Sequence, residues 1–263
     1  MTGVAGRVAL VTGAGNPNAI GFATARLLRA AGARVAITST TARIHERRTE
    51  LGGGEHESFA MPADLTRVGE VAALVAATEA ALGPIDILVN NAGMVQVGRN
   101  EPSQPLHETS DEGWRYGIDI NLTSAFLVTR AVLGGMMARR YGRIVQMSSV
   151  TGPVVGIHGS GVYAAAKAGM LGMTRALAIE AGPYGITVNA IGPGWIKTDS
   201  SGQGEMVAGR YTPAGRAGTP EEVGHVAVFL ASQEASYVTG QLIVVDGGNT
   251  IQEYKVALDG AAT

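Results

Sequence analysis

Val8-Ala-Leu-Val-Thr-Gly-Ala-Gly-Asn-Pro-Asn-Ala-Ile-Gly21 joins an apolar run of strand length to a glycine-rich turn and the first residues of a helix. The run at 8–12 is bounded by turn residues, the pattern of a strand buried on both faces. Beyond the turn, Ile20, Ala23, Thr24, Leu27, Leu28 and Ala31 recur at helical spacing, and Gly32 closes the repeat. Strand, turn and helix in this order bring backbone amides and the positive end of a helix to one point, the arrangement that receives a pyrophosphate. A tight turn without any ligand would show the same glycines.

The alternation continues outward. Strands are predicted at 34–38, 58–61, 86–90, 143–147, 186–191 and 242–245, with helices at 43–51, 68–82, 163–181 and 219–230 between them. A further helix carries Trp114, Ile118 and Asn121 on toward Arg139, with Thr109 as its cap and Glu112 at the reciprocal position. Thr219-Pro-Glu-Glu222 combines a cap, a proline at the first helical position and a capping-box glutamate. Residues 94–110 and 192–216, rich in Gly, Pro, Asn, Ser and Thr, read as loops, the second with at most a short helix. Successive βαβ units of this length predict an α/β fold: one Rossmann-like, doubly wound domain with a seven-stranded parallel sheet and helices on both faces.

Composition sets the outer limits. The chain has 263 residues, 46% hydrophobic, enough for a substantial core in a single domain. That domain is expected to have its core at about 5–250 and a disordered tail at 256–263. Charged residues are 16% and the formal net charge is -2, so the basic footprint of a nucleic-acid binder is missing and a small-molecule partner is expected. Cysteine is absent, which excludes disulfides, thiolate metal sites and a cysteine nucleophile, and no metal site is expected. No apolar run reaches the roughly 18 residues of a membrane span, so a soluble, cytoplasmic protein with no membrane partner is expected.

Two further clusters carry chemistry. An acidic residue at the end of the second strand ordinarily bonds the adenosine ribose hydroxyls of NAD. Here that position is Ser39, followed by Thr40 and, nearby, Arg43. A carboxylate would repel the extra phosphate of NADP, whereas hydroxyls and a guanidinium bond it, so NADP(H) is the expected cofactor, with NAD(H) the alternative. A solvated serine/threonine loop beside an uninvolved arginine would look the same. Tyr163 and Lys167 stand four apart, on one helix face, placing a phenol beside an ammonium.

Taken together, Thr12-Gly13 with Ile20-Gly21, Asp64-Leu65, Asn90-Asn91-Ala92-Gly93, Asn121, Ser149, Tyr163 with Lys167, Pro193-Gly194 and Asp246-Gly247-Gly248 resemble the short-chain dehydrogenase/reductase family. The resemblance is to its compact class of 3-oxoacyl-[acyl-carrier-protein] reductase-like members and covers nearly the whole chain. It implies that Gly13, Asn16, Ile20 and Gly21 hold the cofactor's phosphates, Asp64 and Leu65 the adenine, and Asn91, Ala92 and Gly93 the adenosine side. It likewise implies that Pro193, Gly194, Ile196 and Thr198 touch the nicotinamide end. The catalytic group it implies is Asn121, Ser149, Tyr163 and Lys167. Ser149 would hold a carbonyl oxygen, Tyr163 would exchange its proton, Lys167 would favour the phenolate and grip the nicotinamide ribose, and Asn121 would position a water. Ser149 is chosen over its neighbour Ser148 because Ser-Val-Thr-Gly aligns with the family segment. A homotetramer is also implied.

The chain departs from the family pattern in a lengthened glycine turn, with Asn16-Pro17-Asn18 in it and Ala19 where glycine is common. The expected pocket walls, 95–104, 153–162 and 195–211, offer Val95, Val97, Val154, Val155, Ile157, Trp195, Met206 and Tyr211, an apolar set with His158 as its polar tip. A moderately bulky, uncharged ketone or secondary alcohol fits such walls. The alternatives are an NAD(H)-dependent alcohol dehydrogenase, an enoyl reductase suggested by the lengthened turn, and a dinucleotide sensor without catalysis.

Overall fold

A computed structural model describes residues 3–94 and 104–253. Its elements are β1 (Val8–Thr12), α1 (Ile20–Ala30), β2 (Arg34–Ser39), α2 (Ile44–Leu51), β3 (Ser58–Pro62), α3 (Val68–Leu82) and β4 (Ile87–Asn90). After these come α4 (Asp111–Ile118), a π-helical turn (Asp119–Thr123), α5 (Ser124–Arg139), β5 (Gly142–Met147) and α6 (Gly161–Ala181). β6 (Ile186–Pro193), α7 (Gln203–Gly209), α8 (Pro220–Ala231) and β7 (Leu242–Val245) complete the order. The expected tail at 256–263 and pocket residues Val95 and Val97 lie outside the described residues.

All seven strands run parallel in the order β3-β2-β1-β4-β5-β6-β7. Side chains alternate across each strand, so β1 sends Ala9 and Val11 to one face and Val8 and Leu10 to the other. The first face packs against α1, α2 and α8 through Phe22, Leu28, Ile44, Val223 and Ala227. The second packs against α3, α5 and α6 through Leu74, Leu82, Val128, Val132 and Leu177. The chain reverses its winding between β1 and β4, and a crevice opens at the carboxyl ends of these two strands, where α/β sheets of this kind bind ligands.

The amino-terminal end of β5, away from the crevice, holds a buried charge. Arg143, on β5, is 2% exposed and donates to the carbonyls of Ser232, Gly142 and Gly185 and to Gln233 Oε1. Burial pushes its pKa down from the ordinary arginine value.

The helical run Asp111–Arg139 differs from the expected continuous helix in two ways. Its cap is Ser110, whose Oγ accepts from Gly113 N at 3.1 Å, while the neighbouring Thr109 Oγ1 donates to Pro105 O at 3.4 Å. Two adjacent hydroxyls compete for one role, and the residue directly before the helix takes it. The run is also broken at 119–123, where Ser124 N reaches back to Asp119 O, a bond of π rather than α type. By length and a mean hydropathy of 1.3 this run would suffice to cross a bilayer, but half of that window is buried inside the protein, as befits a core helix.

The predicted capping box at α8 is present: Thr219 Oγ1 accepts from Glu222 N at 3.3 Å, and Glu222 Oε2 accepts from Thr219 N at 2.8 Å. Arg216 donates to both oxygens of the same carboxylate, at 2.9 and 2.6 Å, and so ties the segment after α7 to the start of α8. These bonds hold the Glu222 pKa down to about 2, first through Arg216 and then through the Thr219 amide. A depressed carboxyl contributes stability in full above its ordinary value of 4.5 and loses it as pH falls through about 2. Thr219→Ala is expected to cost about 1 kcal/mol in urea unfolding. The defect of Glu222→Gln is expected to be present at neutral pH and to fade across the window from about 4.5 to about 2.

Candidate active site

A cavity of about 850 Å³ occupies the crevice, and it runs from the glycine turn and the end of β2 to α7 and the residues after β7. Its construction starts at Thr12. The Thr12 hydroxyl accepts from the amides of Asn91 and Ala92, both at 3.0 Å, and donates to Val89 O at 3.4 Å. Asn91 Nδ2 answers by donating to the carbonyls of Thr12 and Gly13, each at 3.1 Å. The ends of β1 and β4 are thereby locked together.

Glycine is needed where these two turns touch. Gly13 has φ +68°, and a Cβ there would meet the Ala92 backbone at 2.7 Å. A Cβ on Gly15 would lie 2.8 Å from Ser39, so the turn and the end of β2 come together at the cavity wall. Gly21 is set behind the wall, giving room to Asn91 Nδ2 and the Gly13 carbonyl. The first turn of α1 has no side-chain cap and no acidic residue, so its amides remain available to an anion.

Of the expected cofactor residues, Gly13, Asn16, Ile20, Ser39, Thr40, Arg43, Leu65, Asn91, Ala92, Gly93, Pro193, Gly194, Ile196 and Thr198 line the cavity. Asp64 does not. Its carboxylate accepts from Thr66 N and Thr66 Oγ1 at 3.0 and 2.7 Å and faces Arg67 at 3.4 Å, while Ala63, Leu65 and Thr66 form the wall instead. At the end of β2, Ser39 Oγ donates to Thr41 O at 3.2 Å, and Arg43 Nε donates to Thr41 Oγ1 at 3.3 Å. Arg43 is exposed and has no ion pair among the described residues.

Ser149, Tyr163 and Lys167 line the same cavity. Ser149 leaves the end of β5 and is 8% exposed, and its Oγ accepts from Thr151 N at 3.0 Å, which leaves its own proton to be donated elsewhere. Lys167 is 3% exposed; its ammonium donates to Met147 O at 2.8 Å and stands 5.5 Å from the centre of the Tyr163 ring. Ser148 also reaches the wall, but its hydroxyl donates to Lys167 O at 2.9 Å, which fastens α6 to β5 and leaves the reacting role to its neighbour.

Asn121 sits one layer back, 2% exposed. Its Oδ1 accepts from Met94 N at 2.9 Å and its Nδ2 donates to Gly117 O at 3.1 Å. A Cβ on Gly93 would lie 2.6 Å from Asn121 Oδ1 and 3.4 Å from Lys167 Nζ. Both ends of the carboxamide are thus engaged in bracing the turn after β4 against the helix, each with a second hydrogen-bonding position besides.

The walls differ from the sequence expectation at several points. Val155, Ile157, Trp195 and Tyr211 line the cavity, whereas Val154, Met206 and His158 do not, and His158 is exposed. Met94, Ile120, Ser124 and Asn249 line it unannounced, whereas Glu205 and Val207 fall within the expected 195–211 wall. Glu205 also caps α7, its carboxylate accepting from Gly202 N at 3.0 Å.

The lengthened turn acts across the cavity mouth. Asn16 Oδ1 accepts from Asn18 N at 2.9 Å, and Asn18 Nδ2 donates to both oxygens of Asp199 at 3.1 Å. That pair joins the turn after β1 to the 194–202 segment on the far side.

A family model described as enoyl-(acyl carrier protein) reductase matches residues 13–250. Oxidoreductase UcpA of Salmonella typhimurium is 39% identical over 263 residues, covering 94% of this chain and 96% of the relative. The 3-oxoacyl-[acyl-carrier-protein] reductase FabG of Escherichia coli is 38% identical over 247 residues, covering 92% of this chain and 97% of the relative. A solved structure of a short-chain dehydrogenase/reductase family protein superposes with a TM-score of 0.84 at 33% identity, over 95% of this chain and 100% of its own.

Breaking the bridge across the cavity mouth is expected to loosen the segment after β6. Asn18→Ala should speed limited proteolysis within residues 196–210 by about fivefold, the effect of one exposed hydrogen bond of about 1 kcal/mol. Asp199→Ala should do the same, and the double variant should add little to either.

Proposed function

The chain belongs to the short-chain dehydrogenase/reductase family, and from that premise we propose that it is an NADP(H)-dependent enzyme interconverting an uncharged ketone and its secondary alcohol, with Tyr163 as proton donor and acceptor. The observation that carries this reading is that Ser149, Tyr163 and Lys167 share one cavity with the glycine turn and the end of β2.

The residues present fit a nicotinamide dinucleotide. Gly13 and Gly15 allow close backbone approach, and the uncapped α1 terminus suits a pyrophosphate. Ser39, Thr40 and Arg43 suit the additional phosphate of NADP, with no carboxylate at the end of β2 to repel it. When bound, the nicotinamide supplies or accepts the hydride. Ser149 donates its free proton to the carbonyl oxygen, with Thr151 N fixing the direction. Tyr163 then gives that oxygen a proton, and the Lys167 ammonium stabilises the negative charge left on the phenol. The bond from Lys167 to Met147 O holds the ammonium where both the phenol and the Gly93 turn are near. Asn121 is a positioning residue, since it fixes that turn by its bond to Met94 N.

Trp114, Phe126 and Ile179 stand 42%, 43% and 79% exposed on α4, α5 and α6, which supports assembly through these helices into a homotetramer. The reading also places the enzyme in the cytoplasm, with no membrane or nucleic-acid partner. A second reading, reduction of an enoyl double bond, is favoured by the lengthened turn and by the description of the matching family model. The Ser149, Tyr163 and Lys167 arrangement favours carbonyl chemistry. The two readings separate in a screen of ketones and alcohols run beside a crotonyl thioester.

Three results are expected. Steady-state kinetics should favour NADPH over NADH, and Arg43→Ala should raise the KM for NADPH about tenfold to a hundredfold with little change for NADH. Preference for NADH in the wild type would overturn the cofactor assignment. Tyr163→Phe should retain NADPH binding by fluorescence while kcat falls by about two to four orders of magnitude, and substantial residual turnover would contradict the proton-transfer role.

A further inference from the structure

The stretch after β7 is folded back on itself by one carboxylate. Asp246 Oδ1 accepts from Gly248 N at 2.9 Å and Oδ2 accepts from Thr250 N at 2.8 Å, while Asn249 N donates to Asp246 O at 3.2 Å. The turn is pinned to the segment after α7, since Gly248 packs against Pro213 and Gln252 Nε2 donates to Tyr211 O at 2.6 Å. Asn249 is therefore held in a fixed place. It is 8% exposed and lines the main cavity, and its side-chain carboxamide makes no hydrogen bond among the described residues.

Other buried asparagines are tied to the protein. Asn189 donates to Val238 O at 2.7 Å and accepts from Gln241 N at 3.1 Å, Asn121 is engaged at both ends, and Asn90 donates to Thr129 Oγ1 at 2.8 Å, although its Oδ1 is without a partner among the described residues. The Asn249 carboxamide is not sealed from solvent, so in the cavity it can exchange water for a polar group of whatever enters, and a ligand that covers it without bonding to it leaves it unpaired. The same cavity also carries the apolar side chains of Trp195, Val207 and Ile157, against which a fixed amide would help to orient what enters. The charges on the described lining residues are Arg43, Lys167 and the carboxylate of Glu205. Arg43 and Lys167 already have roles, and Glu205 repels anions, so the complementary group is neutral.

We propose that Asn249 is a substrate-specificity residue, and that the natural ketone or alcohol carries a second neutral oxygen function, a hydroxyl or carbonyl, which bonds to the Asn249 carboxamide. This rests on the ketone/alcohol reading given above. An unpaired amide makes the site select against analogues that lack the second oxygen.

The test compares kcat/KM at saturating NADPH for butan-2-one, pentan-2-one and hexan-2-one with that for 4-hydroxybutan-2-one, 5-hydroxypentan-2-one and 6-hydroxyhexan-2-one. The wild type should prefer the hydroxylated member at one chain length by about tenfold or more, and Asn249→Leu should bring that ratio close to one. Asn249→Ala, the milder change, serves if the leucine variant melts early. Equal use of the two series by the wild type, or a preference that survives both substitutions, overturns the inference and leaves the carbonyl reading standing. A defect confined to the KM for NADPH also overturns it. If none of the six ketones is reduced, the carbonyl reading fails and this inference falls with it.

Discussion

The ends of β1 and β4 are joined at Thr12, and everything in the cavity takes its position from that joint. One hydroxyl accepts from two successive amides of the turn after β4, and one carboxamide, Asn91, returns the bonds to the turn after β1. Parallel strands diverge at this point because their connecting helices lie on opposite faces, which is what opens the crevice. The strands pair as far as Val11 and Val89, and the bonds of Thr12 and Asn91 extend that pairing into the two turns. With it, Gly93 is pressed against Asn121 and Lys167, so the dinucleotide turn and the proton-transfer group share one frame.

That frame explains why so much was legible from residues alone. Strand and helix positions follow from apolar periodicity, and the box at Thr219 and Glu222 follows from chemistry confined to four consecutive positions. Tyr163 and Lys167 stand out by their shared helix face, whereas Ser149 could be told from Ser148 only through the family resemblance, since both follow the end of β5. Local competition blurred the cap at Ser110, since Thr109 beside it offers an equivalent hydroxyl. The orientation of Asp64 was illegible for a different reason: a position just past a strand does not say which way its side chain turns, and this one accepts from Thr66 of its own loop. Asn249 gave no sequence signal, because its place depends on the Asp246 turn and on Pro213 and Tyr211, more than 30 residues away.

The site is thus rigid on one side and adjustable on the other. Ser149, Lys167 and the glycine turn are anchored to strand ends by buried hydrogen bonds. The opposite wall is made of α7, the segments around it and the turn after β7, fastened by Arg216, Asn18 and Gln252 through exposed bonds. The proposed proton transfer falls on the stiff side. The proposed selection among substrates falls where side chains can change without disturbing the sheet.

The π turn at 119–123 has a further meaning. An extra residue in one turn of a helix shifts everything beyond it by part of a revolution, so α4 and α5 are two screws cut out of phase on one shaft. Beside the offset, Ser124 Oγ and Asn121 Nδ2 donate to the carbonyls of Ile120 and Gly117. The offset lets a single rod keep two appointments: α5 keeps Val128 and Val132 seated on the sheet, while Asn121 still turns to meet Met94. A perfectly regular rod of the same length could satisfy the core or the cofactor turn, and the irregularity is the means by which it serves both.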